Sequence, residues 1–85
     1  MTTTSDVRAA CQHLHETFCP ATCLSAFPVI EVSEIGSDVA LTARRWSESY
    51  PSPAAALAAL PKWGTRFNRA EEEVRGALRE AGYEV

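Results

Sequence analysis

Five side chains with metal-binding or nucleophilic potential crowd the first third of this 85-residue chain: Cys11, His13, His15, Cys19 and Cys23. Thiolates and imidazoles are the ligand set of zinc, so the residue types suggest a metal site. Their spacing does not. Residues two apart on a helix point in different directions. Cys11 therefore falls with Leu14 on an apolar face, and His13 and His15 fall off it. His15, Cys19 and Cys23 recur every four residues, but Pro20 interrupts the helix between them. A metal-binding or redox module built on Cys11, His15, Cys19 and Cys23 is one reading. The plainer one is a core Cys11, two solvated histidines and two loop thiols, with no metal bound. A Cys19–Cys23 disulfide fits a bent connector but closes too short a loop to stabilise much. As nucleophiles the thiols are poorly placed: Cys19 sits at a helix C-terminus, which disfavours a thiolate, and Cys23 has no assignable base. Nucleophile-elbow, phosphate-loop and dinucleotide patterns are absent from the sequence. No catalytic residue and no cofactor are expected.

A second group of residues suits recognition. Trp46, Tyr50, Trp63 and Phe67 flank a short helix near residue 57, and Arg44, Arg45 and Arg66 lie among them. Aromatic residues mixed with arginine have the composition of a protein-binding hot spot. The competing expectation is that both tryptophans fill a small core. The expected partner-binding set is Arg44, Arg45, Trp46, Tyr50, Trp63 and Arg66, with Glu31, Glu48, Glu71, Glu72 and Glu73 available to engage a basic groove. A helix-turn-helix presenting Arg66, Asn68 and Arg69 to DNA is the alternative. The glutamates that follow would face the phosphates, and the loop exceeds the usual three or four residues.

These residues hang on a framework centred on Phe27–Trp46. Val29–Ile35 and Val39–Trp46 read as an antiparallel hairpin joined at Gly36-Ser37, a turn whose first position requires positive φ. That register pairs Ile35 with Asp38, Val32 with Leu41 and Ile30 with Ala43. It puts Ile30, Val32, Val39, Leu41 and Ala43 on a core face. Val29, Glu31, Ser33, Thr42, Arg44 and Trp46 fall on the other, where Glu31 and Arg44 can pair diagonally.

Residues 1–4 read as a polar tail and 5–85 as a single domain. Val7, Ala10, Cys11, Leu14 and Phe18 share one helical face, so a helix runs from Asp6 to Phe18, capped by Ser5 and stopped at Cys19-Pro20. Ala21–Ala26 is a connector. Ser52-Pro53 opens a second helix that Pro61 closes after Leu60. Lys62–Phe67 reads as a loop. Asn68, with Glu71 three residues on, caps a third helix ending at Gly82. Tyr83–Val85 is placed to add a third strand. The expected architecture is a small α+β domain, an antiparallel hairpin covered by three helices in the order α-β-β-α-α-(β).

Composition narrows the function. A net charge of −3 and a pI of about 5.3 argue against a general nucleic-acid binder. No apolar run approaches a membrane span, and Met1–Asp6 lacks the basic and apolar regions of a secretory signal. An odd count of three cysteines favours a reducing cytoplasm over an exported disulfide scaffold. The initiator Met suggests a complete small reading frame. Abundant Ala and a near-exclusive use of Arg over Lys suggest a GC-rich bacterial, phage or plasmid source. By elimination the expected function is non-enzymatic binding to a larger protein or protein complex, as a monomer or homodimer, without contact to nucleic acid or membrane. In size and composition, not in motif, the chain is similar to phage-encoded inhibitors such as anti-CRISPR proteins.

Overall fold

The computed structural model describes residues 2–18 and 27–85. Its elements are α1 (Thr4–Phe18), β1 (Glu31–Ile35), β2 (Asp38–Ala43), β3 (Trp46–Tyr50), α2 (Pro53–Gly64), a 3-10 helix (Thr65–Phe67) and α3 (Glu71–Glu80). The strands form one antiparallel sheet in the order β1-β2-β3, with helices covering one face. The α+β class expected from the sequence is the one observed. The third strand, however, is Trp46–Tyr50, and the chain after Gly82 stays outside the sheet.

The first hairpin keeps its expected register: Ile35 opposes Asp38 and Val32 opposes Leu41, with Gly36 at φ +64°. Strand β1 starts at Glu31, so Ile30 lies just before it, buried in the core. A second two-residue turn, Arg44-Arg45, joins β2 to β3 and sets Ala43 opposite Trp46. Trp46, Glu48 and Tyr50 therefore share the helix-covered face with Val39, Leu41 and Ala43. The outer face carries Glu31, Ser33, Thr42, Ser47 and Ser49, with a Thr42–Ser47 hydroxyl contact of 3.2 Å. Trp46 was expected on that outer face. The reversal of the chain at Arg44-Arg45 puts it on the inner one.

Helix α1 begins at Thr4, two residues before the expected start at Asp6. Thr3, not Ser5, is the cap: its Oγ1 accepts from the Asp6 N–H at 3.2 Å, and Asp6 Oδ2 accepts from the Thr3 N–H at 2.8 Å. This reciprocal pair satisfies two of the N–H groups left open at a helix start. Val7, Ala10, Cys11 and Leu14 are its buried stripe, as the periodicity predicts. The Cys19-Pro20 stop, the 21–26 connector and any pairing or ligation by Cys19 and Cys23 lie outside the described residues.

Helix α2 starts as expected, with Ser52 Oγ accepting from the Ala55 N–H at 3.2 Å and Pro53 in the first turn. It does not stop at Leu60. The helix continues through a buried Pro61 to Gly64, so that Trp63 reaches the core at 1% exposure. Asn68 is likewise not the cap of α3. It takes a left-handed conformation (φ 62°, ψ 35°) that ends the 3-10 helix, and Ala70 precedes α3 with no side-chain cap. At its far end α3 closes as read. Gly82 N–H donates to Arg79 C=O at 3.0 Å and Tyr83 N–H to Leu78 C=O at 3.0 Å, with Gly82 at φ +96°. This is the Schellman arrangement, which turns the terminal residues back onto α3.

Candidate interaction surface

The β2–β3 turn brings three arginines and one tryptophan into a single cluster. Arg44 occupies its first position at φ +55°, a left-handed conformation that side-chain-bearing residues adopt at a cost of about 1–2 kcal/mol. Its guanidinium lies 5.7 Å from the centre of the Phe67 ring. Arg45 lies 5.6 Å from the Trp46 ring centre, and Arg66 lies 4.8 Å from Trp46 and 4.4 Å from Trp63. Such stacks hold a cation against the electron-rich face of the ring.

Arg44 and Arg45 come from the turn itself, and the other members from the elements around it. Trp46 starts the edge strand and keeps 36% of its surface exposed. Arg66 comes from the 3-10 helix. Its Nη2 donates to Glu48 Oε1 at 3.2 Å, and its Nη1 is buried without a hydrogen-bond acceptor. Wedging the guanidinium between two indoles excludes water from that nitrogen. The desolvation cost is partly offset by the stacking and by Glu48. Trp63 forms the floor of the stack, and its Nε1 donates to the Tyr50 hydroxyl at 3.0 Å.

Of the eleven residues expected to meet a partner, the structure gathers seven here, Glu48 among them, but not in equal roles. Arg44, Arg45 and Trp46 are exposed. Arg66 and Tyr50 are partly buried. Trp63, expected among the contact residues, is instead enclosed at 1% exposure, because the small core needed its bulk. Glu31 lies on the outer face of the sheet, opposite Thr42. Glu71, Glu72 and Glu73 line the first turn of α3, where the helix dipole favours them. Glu71 and Glu72 pair with Arg75, and Glu73 with Arg69. Arg69 also stacks on Phe18 at 5.0 Å. A groove-reading helix would need Arg66 and Arg69 extended into solvent, whereas both are engaged within the fold.

The thiol and imidazole readings change more. Cys11 is enclosed in the core, and burial pushes its thiol up to about 12, far from the thiolate that nucleophilic attack or ligation needs. The histidines, expected to be solvated, are instead half-buried and tie elements together. His13 Nε2 lies 3.2 Å from the Ala77 carbonyl of α3, and His15 Nδ1 lies 2.6 Å from the Phe27 carbonyl. A carbonyl only accepts, so in each case the ring nitrogen donates. No group of three or more His, Cys, Asp or Glu among the described residues is arranged to hold a metal ion. Among them, too, no helix is long and apolar enough to cross a membrane.

Sequence reasoning missed strand β3 and its free edge. The signal was present: Trp46, Glu48 and Tyr50 alternate with Ser47 and Ser49, a period of two. It was masked because Arg44-Arg45 contains none of the residues that usually mark a hairpin turn.

No family model matches the chain, and no curated protein or solved structure matches it.

Proposed function

We propose that this chain is a small non-enzymatic protein-binding module that docks on a larger protein or protein complex through the Arg44-Arg45-Trp46 turn. The bound module sterically blocks the target's nucleic-acid or substrate site, as phage-encoded inhibitors such as anti-CRISPR proteins do, within a bacterial cytoplasm. The observation that carries the reading is the conformation of Arg44. A turn position that glycine fills without strain holds an arginine, next to a second arginine and a tryptophan about one-third exposed. Strain retained at the surface is a mark of sites kept for contact rather than for folding. The remaining chemistry is consistent with binding: Cys11 is buried and both histidines serve as struts.

An acidic protein with one basic spot fits a partner whose negative charge is local. A long polyanion would meet the net charge of −3 as well as the arginines. The test is capture from a lysate of the organism carrying the gene, with wild type and an R45A/W46A variant as baits. A hot-spot tryptophan contributes about 2 kcal/mol or more, so roughly thirtyfold less of a stoichiometric partner is expected on the variant. Equal recovery on both baits would refute this surface.

A further inference from the structure

Edge strands β1 and β3 differ in what covers them. In a hairpin closed by two residues, the pair flanking the turn exchanges both hydrogen bonds, and bonded pairs then alternate along the ladder. From Ile35–Asp38 this assigns the backbone of Val32 and Glu34 to the outer edge of β1. From Ala43–Trp46 it assigns that of Ser47 and Ser49 to the outer edge of β3. The β1 edge is covered at Val32, where α1 packs beside the strand and Arg8 Nη2 donates to Val32 C=O at 3.4 Å, and is open at exposed Glu34. On the β3 edge, the outward N–H and C=O groups of Ser47 and Ser49 meet no acceptor or donor among the described residues.

Edge strands are ordinarily protected by a proline within the strand, a bulge or an inward-pointing charge. β3 has neither of the first two: its proline, Pro51, comes after its last residue, and its register is unbroken. It does have an inward-pointing charge, Glu48, which the 3.2 Å contact with Arg66 neutralises. The side chains flanking the open groups are serines, small enough to let another strand approach. At the turn end of this edge stand Arg44 and Arg45. No carboxylate among the described residues lies within 4.0 Å of Arg45.

We infer that β3 is completed by strand addition, and that the added strand is an extended, acidic segment of the partner protein. This rests on the binding function proposed above and specifies its mode. The segment pairs with the backbone of Ser47 and Ser49. It sets an apolar side chain beside Trp46 on the inner face and a carboxylate against Arg45 at the turn. Backbone pairing supplies the affinity, and the position of the acidic residue supplies the specificity.

A twelve-residue random peptide library displayed on phage, selected against the intact chain, tests it. Enriched peptides should carry Asp or Glu at one end of a β-branched stretch. A synthetic peptide of the consensus should slow exchange of the Ser47 and Ser49 amide protons and bind S47P and S49P at least tenfold more weakly. The outward N–H is not used by the sheet, so these prolines leave its ladder intact, and unchanged thermal unfolding confirms it. Unprotected amides, unchanged affinity for the proline variants, enrichment of basic peptides or no enrichment would each overturn strand addition. So would a wild type that sediments as a dimer and an S49P that sediments as a monomer, since a second copy would then occupy the edge. The two readings fail separately. If R45A/W46A loses the lysate partner while S47P and S49P retain it, the turn is the docking surface and the edge is not.

Discussion

Arg44 puts two demands on one residue, a left-handed backbone and a long cationic side chain over Phe67. Substituting it separates them. Alanine keeps the backbone strain and discards the side chain, whereas glycine discards both. R44G should therefore be more stable than R44A by about 1 kcal/mol, read from urea unfolding midpoints. A stability order with alanine equal to or above glycine would mean that the turn is not strained. If the binding surface is as proposed, R44G and R44A both bind the partner less well than wild type, whatever their order of stability.

Cys11 gives a second residue-scale prediction, one of pH. Burial raises its thiol from the ordinary 9.0 to about 12 in the folded chain. Below pH 9 the thiol is protonated whether the chain is folded or unfolded, and stability is unaffected. Above pH 9 the unfolded chain releases the proton and the folded chain retains it, so stability falls by up to about 1.4 kcal/mol per pH unit until pH 12. The C11A variant lacks this thiol. The quantity to measure is therefore the difference between wild type and C11A, which should narrow between pH 9 and 11 as wild type loses the larger share.

At the scale of elements, the critical contact is where α2 crosses α3. A Cβ added at Gly64 would stand 2.4 Å from Val74 Cγ2 and 3.2 Å from the Arg69 carbonyl. Both lie in packed surroundings, Val74 at 0% exposure. Overpacking of this kind costs about 1–3 kcal/mol, so G64A should lower the urea midpoint by that equivalent, and V74A should recover part of the loss when added to it. If G64A matches wild type, the two helices do not approach this closely.

The same crossing shows why parts of the fold were legible in the sequence and others were not. Helix α1, the first hairpin and the start of α2 each carry a local cause: a 3.6-residue apolar stripe, a glycine where φ is positive, a serine before a proline. The end of α2 has a tertiary cause. Proline costs a helix one backbone hydrogen bond, and local rules end α2 at Leu60. Continuing through Pro61 buries Trp63 and seats Gly64 against Val74, which outweighs that cost. Asn68 and Glu71 had the spacing of a cap, but the 3-10 helix took Asn68 for its own end. The candidate site was legible in composition, as arginines beside aromatics, and not in geometry. Exposure of Trp46 was expected for the wrong reason: it is exposed because it begins an edge strand, not because it faces away from the core.

For the whole molecule, the helices pack on one face of a three-stranded sheet and leave the other to small and polar side chains and one exposed isoleucine, Ile35. The proposed surface is at the β3 side, where backbone groups, arginines and an indole lie together. Its ionic part should be screened by salt. Partner affinity should fall between 50 and 500 mM salt in wild type and fall less in an R44Q/R45Q variant, measured by calorimetry on the captured complex. Parallel salt dependences would remove the arginines from the recognition.

The His13–Ala77 clasp has a consequence in time. It joins positions 64 residues apart in the chain, while both hairpins of the sheet close over two-residue turns. Short closures cost little entropy and form early, and contacts of long separation tend to form after the transition state. The clasp then acts as a latch that sets how slowly the folded chain opens. H13A should accelerate unfolding in stopped-flow experiments and leave the refolding rate nearly unchanged, the behaviour of a contact made late. A matching decrease in the refolding rate would instead place the docking of α1 on α3 within the folding nucleus.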